Sequence, residues 1–125
     1  RRRADHFSCK ARAMADLGQF PLAVDIVINA TSVSGTDECA VMSEIIGKMQ
    51  IHRCQLIFDL NYGQPDNLWM SLAASHNIPF MDGLSTLAYQ ARRTFQLWTG
   101  QDVSHKEFLK PLTAAPAVGS SDGIL

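Results

Sequence analysis

The sequence contains no apolar run approaching the roughly 18 residues needed to span a bilayer, and no charged-then-apolar signal segment opens it. It is also poor in cysteine. The three thiols, Cys9, Cys39 and Cys54, are odd in number and widely spaced, with neither a CxxC pair nor the density of a disulfide scaffold. Reduced thiols in a cytoplasmic protein are the expectation. His6 and Cys9 lie close enough to share a metal, but no second pair completes a four-ligand set, so no metal site is expected. A formal net charge of -1 and 8% aromatic residues give no basic groove or surface patch, which sets nucleic acid and membrane aside as partners. Internal repeats are missing, and so is any G-x-G-x-x-G phosphate loop.

What remains is 125 residues, 46% hydrophobic and 18% charged, an ordinary composition for one globular core. Phe7, Ala11, Met14 and Ala15 recur at helical spacing before Gly18 and Pro21, which predicts a helix over residues 6–17. Residues 24–30 form a β-branched apolar run, too short for a helix and continuous enough for a strand buried on both faces. A helix follows over residues 38–49, with Val41, Ile45, Ile46 and Met49 on one side. Residues 54–59 and 78–81 read as further strands, separated by turn chemistry at residues 61–66 and a helix through His76 for which Asp66 is the expected N-cap.

Strands alternating with helices of this length indicate βαβ units and a parallel sheet, the doubly wound α/β class. In such sheets ligands bind beyond the carboxyl ends of the strands, so the segments after Ala30, Asp59 and Met81 are the ones to search. Residues 83–98 carry one apolar stripe of Leu84, Leu87, Ala88, Ala91, Phe95 and Trp98, ended by Gly100. At about 100° per residue, Thr86, Gln90 and Leu97 lie along its flank. Residues 105–112 form a short last helix limited by Pro111, and residues 113–125, rich in Ala, Gly, Ser and Pro, read as a disordered tail.

Three of these segments together resemble the shikimate dehydrogenase family. Asp82-Gly83-Leu84-Ser85-Thr86-Leu87-Ala88-Tyr89-Gln90-Ala91, followed by Phe95-Gln96-Leu97-Trp98-Thr99-Gly100, is similar to the family's Asp-Gly-Leu-Gly-Met-Leu-Val-x-Gln-Ala and Phe-x-x-Trp-x-Gly. Asp25-Ile26-Val27-Ile28-Asn29-Ala30-Thr31-Ser32 and Asp59-Leu60-Asn61-Tyr62 precede it in the family's order. The resemblance covers roughly residues 25–112 and implies a Rossmann-like sheet and NADP as cofactor, with shikimate or 3-dehydroshikimate as small-molecule substrate.

Position by position, the resemblance implies that Asn29, Ala30, Thr31 and Ser32 run past the adenosine side of the cofactor. It implies that Leu60 meets the nicotinamide ribose, that Gly83 and Thr86 lie beside the nicotinamide, and that Tyr62 and Gln90 reach the substrate. The residue types suit those tasks. Phenol and amide groups hold a polyhydroxylated carboxylate without titrating, and a glycine lets the backbone approach a flat ring. The plainer readings are a solvated loop tyrosine for Tyr62, a solvated helix residue for Gln90, and a strand end whose side chains bond nearby amides for residues 29–32.

Ser85 and Thr86 stand where the family has Gly and Met, and the turn after Tyr62 reads Gly63-Gln64-Pro65-Asp66-Asn67 in place of Asn-Pro-x-x-Thr. The expected architecture is an incomplete Rossmann-like domain over residues 1–81, lacking its first strand and Gly-rich loop, with C-terminal helices over residues 82–112. The opening Arg1-Arg2-Arg3 without an initiator Met reads as a cut, and the proton-handling residues are expected upstream of it, leaving this chain inactive alone. Competing readings are a dinucleotide-binding regulatory or pseudo-enzyme domain, a quinate dehydrogenase and a methylenetetrahydrofolate dehydrogenase.

Overall fold

The structure, a computed structural model, describes residues 9–114. The chain divides into two compact units, Arg1–Asp82 and Gly83–Leu125.

In the first unit every strand pairing is parallel. Strands β2 (Ile26–Asn29), β4 (Leu56–Asp59) and β5 (Phe80–Met81) form one sheet in that order, while β1 (Leu22–Ala23) and β3 (Ile51–His52) form a short two-stranded sheet. The strands expected over residues 24–30 and 54–59 are found as β2 and β4, and the register explains why β1 and β3, which precede them, stand apart from them. Leu22 pairs with Ile51, 29 positions on, whereas Ile26 pairs with Leu56, 30 positions on, so one extra residue enters the second run. Arg53 sits within that run at φ 66°, in the left-handed region.

Helices α1 (Ala40–Gly47) and α2 (Leu68–Ser75) cover the sheet through Met42, Ile46, Leu68, Trp69, Leu72 and Ala73, all buried around Ile57. In α1 and just beyond it, Met42, Ile46 and Met49 follow the i, i+4, i+7 spacing and face the core. Val41, expected on that face, is 65% exposed. Residues 24–30 were expected to be buried on both sides, yet Ile26 and Ile28 are exposed while Val27 is half-buried and Asn29 buried. Strand side chains alternate, and α1 and α2 cover only the side to which Asn29 and Ile57 point.

The helix expected over residues 6–17 lies partly outside the described residues. Within them it is a single 3-10 turn, Met14–Asp16, preceded by Ala13 in an extended conformation. Residues 9–15 are all exposed, and so short a helix without a buried face does not form. The N-cap of α2 is Asn67, one residue later than expected, its side chain accepting from the Trp69 and Met70 amides at 2.8 and 3.0 Å.

The second unit is a helical pair, α3 (Leu84–Thr99) and α4 (His105–Ala114). Gly100 ends α3 at φ 72°, where a side chain would be strained, and its N–H donates to Gln96. Tyr89 stacks on His105 at 4.2 Å, Phe95 meets Phe108 edge-on at 5.9 Å, and the Arg92 guanidinium grips Asp102 at 2.8 Å. Trp98, read from sequence as part of the buried stripe, is 83% exposed. Helix α4 continues through Pro111 to Ala114, so the proline does not end it as expected, and residues 115–125 of the expected tail lie outside the described residues. No helix among the described residues is long and apolar enough to cross a membrane.

Candidate functional site

The carboxyl ends of β2 and β4 are locked together by one buried carboxylate. Asn29 and Asp59 are register partners, so the last residue of each strand meets the other on the covered side of the sheet. Asp59 is fully buried and accepts from Asn29 Nδ2 at 2.8 Å, the Asn61 amide at 3.0 Å, Asn61 Nδ2 at 3.2 Å and Asn67 Nδ2 at 2.7 Å. Burial pushes its carboxyl up, but hydrogen bonds from Ser34, Asn67, the Asn61 backbone and Asn29 outweigh it and hold Asp59 below the ordinary carboxylate value.

The same network shapes the loop after β2. Asn29 Oδ1 accepts from the Thr31 amide at 3.0 Å and the Thr31 hydroxyl at 2.7 Å, an Asx-type turn. Its Nδ2 also reaches the Val33 carbonyl at 3.0 Å. The Asn29 amide is thus taken up entirely by the protein, whereas Ala30, Thr31 and Ser32 stand exposed at the strand end. A largely apolar groove of about 260 Å³ follows the edge of β2, lined by Ile26 and Ile28 from one face and Val27, Met49 and Trp69 from the other, and reaches Ala30 and Thr31.

Leu60 follows β4 on this rim, 44% exposed, with its amide donating to the Asn29 carbonyl at 3.0 Å. Tyr62 is half-exposed two residues on. Asn61, between them, donates to the Thr31 carbonyl and the Ser34 hydroxyl, both at 2.8 Å, which ties the two loops. The structure therefore brings Asn29, Ala30, Thr31, Ser32, Leu60 and Tyr62 to one rim of the first unit. β5 ends at Met81 beside Phe58, its carboxyl end on that same rim.

The remaining expected residues belong to the second unit. Gly83 is buried at the N-cap of α3 with φ -76°, a conformation open to any residue, and its carbonyl accepts from the Leu87 amide at 2.9 Å. Thr86 is half-buried in the first turn and Gln90 is exposed one turn later. Gln90 lines a hollow of about 430 Å³ with Leu87, Thr94, Phe95, Trp98 and Phe108.

Sequence reasoning passed over Asp59, Ser34, Asn67 and Glu38, which organise the rim. A charged residue closing an apolar strand, with Asn61 and Asn67 soon after, was the available signal. Glu38 Oε2 accepts from the Ser34 and Gly35 amides at 2.7 and 2.9 Å, and those two bonds, Ser34 first, hold its carboxyl below the ordinary value. Among the described residues no group of three or more His, Cys, Asp or Glu side chains is placed to hold a metal ion.

A parallel sheet with helices packed on it, and polar loops gathered at its carboxyl rim, defines a Rossmann-like α/β protein. More particularly, the chain is related by sequence to the shikimate dehydrogenase family. It is 33% identical over 89 residues to a shikimate dehydrogenase (NADP(+)) from Streptococcus pneumoniae, a match that covers 71% of this chain and 30% of that protein. The chain thus spans about a third of the length of the curated relatives it matches. Two solved structures share its fold. Shikimate dehydrogenase 1 from Peptoclostridium difficile superposes with a TM-score of 0.55 at 21% identity, covering 78% of this chain and 37% of that one. Shikimate 5-dehydrogenase from Thermus thermophilus, solved in complex with shikimate, superposes with a TM-score of 0.57 at 20% identity, covering 86% of this chain and 37% of that one. No protein-family model matches the chain.

Proposed function

We propose that this chain is the C-terminal, cofactor-side portion of an NADP-dependent shikimate dehydrogenase that interconverts 3-dehydroshikimate and shikimate. The observation that carries the reading is the 33% identity over 89 residues to curated enzymes named for that activity and cofactor. The rim fits it. Ala30 and Ser32 are exposed at the carboxyl end of β2, where a dinucleotide binds in sheets of this class. Asn29 serves there through the loop it shapes, because its amide is already satisfied internally.

In this reading Asn29, Ala30, Thr31, Ser32, Leu60, Gly83 and Thr86 line the NADP side and Tyr62 and Gln90 the substrate side. When bound, NADP supplies the hydride chemistry at its nicotinamide. The chain's own task is orientation: the Tyr62 phenol and the Gln90 amide offer neutral donors and acceptors to a polyhydroxylated ring.

The test uses the complete parent protein with NADP⁺ and either shikimate or quinate, following NADPH formation. Shikimate-dependent reduction of NADP⁺ is the expected result. Turnover of quinate alone assigns the site to the related substrate, and binding of NADP⁺ without turnover of either marks a dinucleotide-binding domain; both outcomes reject the proposal.

A further inference from the structure

Tyr62 makes no side-chain hydrogen bond among the described residues, so its position depends on how the chain around it is held. On one side the turn is anchored at Asn61, through Thr31, Ser34 and Asp59. On the other side the backbone lacing to the loop after β2 resumes at Asp66, whose carbonyl accepts from the Thr36 amide at 3.1 Å, and at Asn67, which bridges to Gly35. Residues 62–65 are all exposed, and the single hydrogen bond they make among the described residues is from Gln64 Nε2 to Glu38 Oε1, at 2.9 Å. Gly63, at φ 76°, turns the chain between Tyr62 and Gln64.

Glu38 is well placed to be the fixed end of that contact. Its other oxygen is clamped by the Ser34 and Gly35 amides, and a Cβ at Gly35 would lie only 3.2 Å from the Glu38 side chain, so the glycine lets the carboxylate settle against the loop. The two amides hold the Glu38 carboxyl below the ordinary glutamate value, and a hydrogen bond to a charged acceptor is stronger than one between neutral groups.

We infer that Glu38 and Gln64 are positioning residues, a clasp between the cofactor-side loop and the turn that presents Tyr62, and that the clasp sets the affinity for substrate. The inference rests on the reading above that Tyr62 contacts shikimate. Neither residue is among those assigned above to substrate or cofactor, so loss of the Gln64 contact is expected to loosen the Tyr62 turn and leave the chemical step intact. Both side chains are exposed, so the Gln64 variants leave the packed core untouched and carry the test, whereas Glu38→Ala also releases the Ser34 and Gly35 amides.

Steady-state kinetics of the complete parent protein test it. Gln64→Ala is expected to raise KM for shikimate about 3- to 10-fold, with kcat and KM for NADP⁺ held within about twofold. Glu38→Ala also frees the Ser34 and Gly35 amides, so it is expected to raise KM at least as much, and the double variant is expected to be no worse than Glu38→Ala alone, because Gln64 acts through Glu38. Gln64→Lys, which restores a donor facing the carboxylate, is expected to return KM to within about twofold of the parent, while Gln64→Glu raises it further by repulsion. An unchanged KM in Gln64→Ala, or a Gln64→Lys protein as defective as Gln64→Ala, overturns the clasp. A parent without shikimate turnover sinks the functional reading instead. The clasp is then read in that protein from the NMR order parameters of the Tyr62 and Gly63 amides, which are expected to fall in Gln64→Ala and recover in Gln64→Lys; unchanged values reject it.

Discussion

Asn67 donates its side-chain amide to Asp59 Oδ2 at 2.7 Å while its own oxygen caps helix α2 at the Trp69 and Met70 amides, so one residue fixes both the buried carboxylate and the start of the helix packed above it. Removing either partner disturbs both. Asn67→Ala is expected to destabilise the fold by about 2–3 kcal/mol, more than the roughly 1 kcal/mol of a lost N-cap, because Asp59 also loses a donor. Urea denaturation of this chain measures it. A loss equal to the cap alone would mean that the bond to Asp59 adds nothing.

Asp59→Ala takes from the buried Asn67 amide its acceptor and from the Asn29 amide its shortest one, leaving Asn29 with Val33 and Ser34. The expected cost is about 2–4 kcal/mol, the range for unsatisfied buried polar groups. The Asn29→Ala and Asp59→Ala losses should be strongly non-additive in a double-mutant cycle, since both delete the same bond.

Stability should also depend on pH through Asp59. The folded protein holds this carboxyl below its unfolded value of about 3.9, so in the acid range the unfolded chain binds more protons than the folded one. The contribution is complete above that value and disappears as pH falls through the folded pKa. Denaturation midpoints measured from pH 7 to pH 3 should therefore fall more steeply at the acid end for the parent chain than for Asp59→Asn. Parallel curves would assign the acid sensitivity to other carboxylates.

Gln90 is exposed, which separates its proposed contact from the stability of α3. In the complete parent protein, Gln90→Ala should remove one or two hydrogen bonds of about 0.5–1.5 kcal/mol each and lower kcat/KM for shikimate by roughly 3- to 100-fold. NADPH affinity, measured by fluorescence titration without substrate, should hold. A loss confined to NADPH binding would move Gln90 to the cofactor side.

Purified residues 1–125 alone should show no shikimate oxidation above background, because none of the site residues proposed here transfers a proton. Turnover by the isolated chain would place an acid and a base among residues described above as structural.

The amino-acid sequence by itself determined the parallel α/β class and pointed to the loops at the carboxyl ends of its strands. Residues 56–59 and 80–81 are strands as their apolar runs imply, and the Asp82–Ala91 pattern carries the family resemblance. These features are local: periodicity and turn chemistry act over a few neighbours and leave their trace in composition. The tertiary structure alone decided that Asn29, Asn61 and Asn67, up to 38 positions apart (29 to 67), converge on Asp59. It also decided that Arg53 takes a left-handed conformation, that residues 9–13 stay out of helix, and that Glu38 reaches Gln64. A buried carboxylate is tolerated only where enough donors surround it. Which donors those are depends on strand register and loop closure, properties of the folded chain that no short stretch of sequence encodes.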